Sequence, residues 1–169
     1  SYAPGAAHVY TIEQATSNTD VLYAGTATAG VWKTLDKGNN WVITTKNMMI
    51  GYVNAIEIDF TDENIAYFIG SKNLYKTYDG GANWNIVGDS SFLAINLSAN
   101  DLVMSNSNNS ILFLADESGL YKTNDGGNNW TLIASGIFQE VEFHPTNANI
   151  VYTIKQNNNK TEFYKSIDA

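Results

Sequence analysis

The chain has 169 residues, 44% hydrophobic and 12% aromatic, which is enough apolar material to bury a core and excludes a disordered tail. The net charge of -8 disfavours nucleic acid as a partner, and the nine basic residues are all lysine, so no guanidinium exists to grip a phosphate or carboxylate in bidentate fashion. Cysteine is absent, which removes disulfides, thiol catalysis and thiolate metal sites, and no apolar run reaches the roughly 18 residues of a membrane-inserted helix.

Residues 1–7, Ser-Tyr-Ala-Pro-Gly-Ala-Ala, carry neither a basic patch nor an apolar stretch and are read as neither a signal peptide nor a strand. From His8 the same order of short apolar runs and turns is repeated in units of about 8–46, 52–89, 92–136 and 137–169. The first strands are expected at His8–Glu13, Val53–Ile58, Phe92–Leu97 and Phe138–Phe143. Second strands follow at Val21–Gly25, Ile65–Ile69, Ile111–Ala115 and Ile150–Ile154, apolar enough to be buried on both faces. Third strands, Gly30–Thr34, Asn73–Thr77, Gly119–Thr123 and Glu162–Ser166, repeat apolar, aromatic, lysine and hydroxyl in register. Fourth strands open at Trp41, Trp84 and Trp130. Polar turns join first to second strands. Between Ser98 and Ser110 the turn is expected to be the longest, with Ser105–Ser110 a solvated insertion.

Between third and fourth strands lies one octapeptide: Thr34-Leu-Asp-Lys-Gly-Asn-Asn-Trp41, Thr77-Tyr-Asp-Gly-Gly-Ala-Asn-Trp84 and Thr123-Asn-Asp-Gly-Gly-Asn-Asn-Trp130. A fourth copy begins at Ser166-Ile-Asp168. The aspartates recur at intervals of 43, 46 and 43 residues, a period that marks a repeat architecture. Four strands per unit give the blade of a β-propeller: the fold is all-β, built from four-stranded antiparallel blades, three complete and one truncated, as part of a larger propeller. The octapeptide assigns structural work to its residues. Asp36, Asp79 and Asp125 are placed to accept turn amides, Gly38, Gly81 and Gly127 to take positive φ, and Trp41, Trp84 and Trp130 to re-enter the apolar layer. Asp79→Ala is therefore expected to weaken the fold while leaving the ligand affinity of the folded fraction unchanged.

The octapeptide resembles the Asp-box, or BNR repeat, of sialidases, of sortilin-type propellers and of xyloglucanase-type glycoside hydrolases. The resemblance implies a propeller, and it implies for sialidases three arginines and a tyrosine nucleophile with a glutamate partner. With no arginine, sialidase chemistry is rejected for this chain. A calcium loop of the EF-hand type is also disfavoured, because no box supplies the closing glutamate.

Outside the boxes, glycosidase-type carboxylate pairs are sought at Glu57 with Asp59 and at Glu140 with Glu142, each expected on one side of a first strand, and each more simply a solvated or channel-lining stripe. His8 and His144 form neither a metal cluster nor a triad; no nucleotide-phosphate loop occurs; Trp32 stands where Tyr75, Tyr121 and Tyr164 stand and is read as packing. No catalytic, cofactor or metal residue is assigned. The functional expectation is a non-catalytic binding, adhesion or structural scaffold within a secreted or cell-surface bacterial propeller, engaging a protein or glycan and completed by the remaining blades of its parent or of another chain. Alternatives are a fragment of a xyloglucanase-like glycoside hydrolase and a sortilin-like peptide-binding or assembly factor.

Overall fold

A computed structural model describes residues 8–158 and 160–169; the readings made for residues 1–7 lie outside them. The chain divides into two compact units, one up to Val87 and one from Gly88. The first holds two antiparallel four-stranded meanders, β1 (Val9–Gln14), β2 (Leu22–Thr26), β3 (Val31–Thr34) and β4 (Val42–Ile43), then β5 (Val53–Ile58), β6 (Ala66–Gly70), β7 (Asn73–Thr77) and β8 (Asn85–Ile86), each in sequential order. The second opens with a helical turn α1 (Ser90–Leu93) and continues through β9 (Ala99–Met104), β10 (Leu112–Asp116), β11 (Gly119–Thr123) and β12 (Thr131–Ser135). Its second sheet has three strands, β13 (Ile137–His144), β14 (Asn147–Asn157) and β15 (Lys160–Ser166). Among the described residues no helix is long and apolar enough to cross a membrane.

The second strand of a blade is its apolar centre, and β6 and β10 are buried along their whole length. In the first unit the core joins both sheets through Tyr23, Val31, Val53, Ile56 and Phe68. The Phe68 ring stacks on Tyr75 at 4.6 Å and receives the Trp84 ring edge-on at 4.8 Å. In the second unit Phe113, Phe138, Val141, Phe143 and Val151 play this part. The expectation of two-sided burial fails for β14, where Tyr152 is 39% exposed. With only three strands, its sheet is covered incompletely.

Two strand assignments need correction. Residues 92–97 do not form the first strand of the third blade: Asp89 accepts hydrogen bonds from the Ser91 and Phe92 amides at 2.9 and 3.1 Å and starts α1 instead. A local N-cap outcompetes the apolar pattern there, and Phe92 is buried flat against Trp130 at 4.9 Å. The strand is β9, inside the stretch expected to be a long loop. The actual turn is ordinary. Ser105 N–H donates to the Ile111 carbonyl and Ile111 N–H to the Asn108 carbonyl, repeating the Ala15–Val21 and Asp59–Ile65 turns bond for bond, and Ser105 is buried.

Each octapeptide turns on two successive left-handed residues, Lys37 and Gly38 (φ 58° and 88°), Gly80 and Gly81 (70° and 89°), Gly126 and Gly127 (70° and 93°). A Cβ on Gly81 would also sit 3.0 Å from Thr44 Cβ. Gly81→Ala is expected to lower stability by about 1–2 kcal/mol, read as a drop in urea midpoint without a change in slope.

Candidate functional site

The octapeptide is built around its first residue. Thr77, fully buried on the end of β7, accepts the amides of Asp79 at 3.2 Å and Gly81 at 2.9 Å, and donates its hydroxyl to Asp79 Oδ1 at 2.8 Å. Thr34 and Thr123 repeat the three bonds within their own turns. Ser166 donates to Asp168 at 2.6 Å and accepts the Asp168 amide at 3.3 Å. Aspartate completes the loop. Asp79 Oδ1 accepts Asn83 N–H at 2.8 Å and Oδ2 accepts the Asn83 side-chain amide at 2.7 Å; Asp36 with Asn40 and Asp125 with Asn129 do the same. The residue after each aspartate ties the loop to its own blade's first turn: Lys37 to Asp20, Gly80 to Asn64, Gly126 to Ser110 and Ala169 to Asn149, all N–H to carbonyl at 2.9–3.0 Å.

The indoles divide. Trp41 and Trp130 donate from Nε1 to the carbonyls of Gly38 and Gly127, both at 3.1 Å, whereas Trp84 reaches Thr44 Oγ1 of the preceding blade at 3.3 Å and packs edge-on against that blade's Tyr23. Sequence reasoning gave no role to Asn40, Asn83 and Asn129, although their recurrence in the seventh position was the available signal.

These bonds hold the carboxyls of Asp36 and Asp79 below the usual aspartate range, chiefly through the Asn40 and Asn83 side chains, and that of Asp125 down to about 2, chiefly through Asn129. Each carboxylate is bonded within its own turn, and Asp36 and Asp79 also line one cleft of the first unit. Because the folded values of Asp36, Asp79 and Asp125 are depressed, the stabilisation these three bring is present above the unfolded value of about 4 and is lost as pH falls from about 4 toward 2.

A second carboxylate group lies on the first strands of the second unit. Asp101 of β9 accepts the Val141 amide of β13 at 3.0 Å, which places it between Glu140 and Glu142. Burial raises the Asp101 carboxyl, with Glu140 adding, and burial with Asp101 and Glu140 raises that of Glu142. Raised carboxyls cost stability while ionised, and the cost vanishes as pH falls through the raised value. We expect the urea midpoint to rise slightly as pH is lowered from neutral toward the ordinary carboxylate range and to fall below about pH 4, with Glu142→Gln reducing the rise, since Asp101 remains, and leaving the fall. The sequence missed Asp101 because its strand was read as loop.

Glu57 and Asp59 do not form the expected stripe. Asp59 lies beyond the end of β5, buried, where it accepts the Thr61 amide at 2.8 Å and hydroxyl at 2.7 Å. His144 Nδ1 takes the Thr146 amide at 3.3 Å within the β13–β14 turn. Trp32 is half-buried and donates to the Ala29 carbonyl at 3.1 Å. Among the described residues no group of three or more His, Asp or Glu is placed to hold a metal ion.

Each unit has a cleft between its two sheets, lined in the first unit by the end of β3, by β4 and by the second octapeptide, and in the second unit by strands of both sheets. In the first unit it measures about 800 Å³ and is bordered by Asp36, Asn40, Thr44, Asp79, Asn83 and Trp84. In the second it measures about 360 Å³ and is bordered by Phe113, Ile133, Ala134, Thr153, Tyr164 and Ala169.

No family model matches the chain, and no curated protein matches it. Solved structures do. An ancestral GH74 enzyme superposes with a TM-score of 0.79 at 19% identity, over 95% of this chain and 23% of that one. The GH74 enzyme of Niastella koreensis gives 0.74 at 17%, over 93% and 28%. YCF48 from Cyanidioschyzon merolae gives 0.60 at 16%, over 96% and 57%. At such identities the likeness shows the fold: this is a β-propeller chain, all-β, with blades of antiparallel strands. It spans about a quarter of the GH74 chains and somewhat more than half of YCF48.

Proposed function

We infer that the chain is a binding or structural scaffold within a larger propeller of the Asp-box type, non-catalytic, exported to the cell surface or medium of a bacterium, with a protein or glycan as ligand. The observation that carries this reading is the internal use of Asp36, Asp79 and Asp125. Each aspartate carries several bonds within its own turn, leaving none of the three free to act as an acid or base on a substrate. The composition, rich in asparagine, threonine, serine and glycine with only 15% charged residues, supports export. The likeness to YCF48, one structure of which is bound to D1 peptide, supports a protein ligand.

A second reading, glycoside hydrolysis, is favoured by the raised carboxyls of Asp101 and Glu142 and by the likeness to GH74 enzymes. Incubating the full-length protein with polysaccharides and assaying reducing ends separates the two. The scaffold reading expects retention on an immobilised ligand without release of reducing ends. Release that Asp101→Asn or Glu142→Gln abolishes overturns it in favour of the hydrolase.

A further inference from the structure

Among the three octapeptide indoles Trp84 is bonded differently, and the difference falls on the cleft of the first unit. In the first and third octapeptides the indole N–H closes on a glycine carbonyl of its own turn, Gly38 or Gly127, at 3.1 Å. Trp84 reaches across to Thr44 Oγ1 at 3.3 Å instead, which leaves the Gly81 carbonyl without the indole bond that its two counterparts have. Gly81 and Trp84 both border the cleft of about 800 Å³. One wall is β4 with the first octapeptide and the other is the second octapeptide, all within residues up to Val87, so two neighbouring blades are enough to build it.

The chemistry of these walls is specific. Asn40 and Asn83 give side-chain N–H groups to Asp36 and Asp79 at 2.6 and 2.7 Å, so each turns its amide oxygen away from the carboxylate. With the Gly81 carbonyl they bring three acceptors to one cleft. Its charges cancel, two lysines, Lys33 and Lys46, against two aspartates. An apolar wall stands beside the indole: Leu35 and Val42 are each 67% exposed, and Met48 adjoins them. Acceptors without net charge, next to an apolar surface, match a ligand rich in hydroxyl donors that also has a C–H face. A strand matches poorly, because β4 has only two ladder residues and a peptide backbone brings an acceptor with every donor.

We propose that this cleft is a binding site for a neutral glycan. The sugar lays its C–H face on Leu35, Val42 and the Trp84 ring, and its hydroxyls donate to the Gly81 carbonyl and to the amide oxygens of Asn40 and Asn83. Asp36 and Asp79 keep the bonds of their own turns, and a ligand without charge leaves their midpoints in place. The proposal rests on the scaffold reading, of which it names the ligand class and the place, and it makes no use of Asp101 or Glu142.

The probes are maltohexaose, cellohexaose and mannohexaose, each titrated into the full 169-residue chain and followed by NMR of the indole and side-chain amide N–H groups. Saturable shifts of the Trp84 indole and of the Asn40 and Asn83 amides are expected with at least one of them, and the anionic hexagalacturonate is expected to bind at least about tenfold more weakly. Leu35→Glu changes an exposed side chain; it is expected to keep its circular dichroism and to weaken binding at least about tenfold. No saturable shift with any of the three at about 10 mM, shifts confined to other surfaces, or undiminished binding by a folded Leu35→Glu chain would each overturn the proposal. Equal binding of hexagalacturonate, or equal shifts from a neutral peptide of glycine, asparagine and serine, would overturn the choice of ligand and the proposal with it. Missing shifts leave the scaffold reading standing, whereas reducing-end release abolished by Asp101→Asn ends that reading without moving the Trp84 signals, so the two failures are read separately.

Discussion

Trp130→Ala is expected to destabilise the protein by about 3–5 kcal/mol, the range for emptying an aromatic site in a core. The indole is 8% exposed, lies flat on Phe92 at 4.9 Å and donates to the Gly127 carbonyl at 3.1 Å, so its removal opens a cavity and leaves that carbonyl without its indole partner. Neighbouring groups would also suffer. The Trp130 amide is held by Asp89 Oδ2 at 3.0 Å, and the same carboxylate caps α1, so loosening at residue 130 reaches the helical turn that positions Phe92. Trp130→Phe keeps much of the stack and loses the indole bond, and is expected to cost about 1–2 kcal/mol. Chemical denaturation of the two variants checks the order. A Trp130→Ala chain as stable as the parent would mean that the tryptophans of the octapeptides are not wedges.

Thr77→Val is expected to cost about 1–3 kcal/mol, although it removes no volume. The side chain is fully buried and the shape is kept, so the whole effect is chemical: the amides of Asp79 and Gly81 lose their acceptor, and Asp79 loses a donor at 2.8 Å. Thr77→Ser retains the hydroxyl, as Ser166 does in the fourth copy, and is expected to cost about 1 kcal/mol, the value of a buried methyl group. The ratio between the two variants therefore separates hydrogen bonding from packing. A Thr77→Val chain as stable as the parent, with Thr77→Ser weakened, would assign the position to packing alone.

The blades were legible because their second and third strands are locally consistent. Ala66–Gly70 and Leu112–Asp116 are apolar runs bounded by turn residues, and the lysine and hydroxyl that end each third strand mark its register. The first strand of the third blade was illegible for a tertiary reason. Asn100 and Asp101 make Ala99–Met104 look like loop, yet Asn100 donates to the Phe138 carbonyl at 2.7 Å and Asp101 accepts from Val141, both on β13. Partners forty residues away have no local signature. Phe92–Leu97 looked like a strand because the capping role of Asp89 was overlooked, although Asp-Ser-Ser before an apolar residue is a helix-start pattern.

The candidate sites were legible unequally. Aspartate, glycine and tryptophan of the octapeptide could each be given a role from chemistry alone, while the buried threonine hydroxyl emerged as the hub only with the bonds in view. The cleft beside β15 could not be foreseen, since it depends on which residues of two blades face one another.

The account rests on motif carboxylates that are consumed by their own turns. Carboxyl-carbon NMR titration of Asp36, Asp79 and Asp125 in the folded chain measures this directly. Midpoints below the ordinary aspartate range, with Asp125 near about 2, and unmoved by added calcium, peptide or glycan, are the predicted result. Midpoints in the ordinary range, or midpoints that shift when a ligand is added, would show that these side chains serve a ligand rather than their own turns and would contradict it.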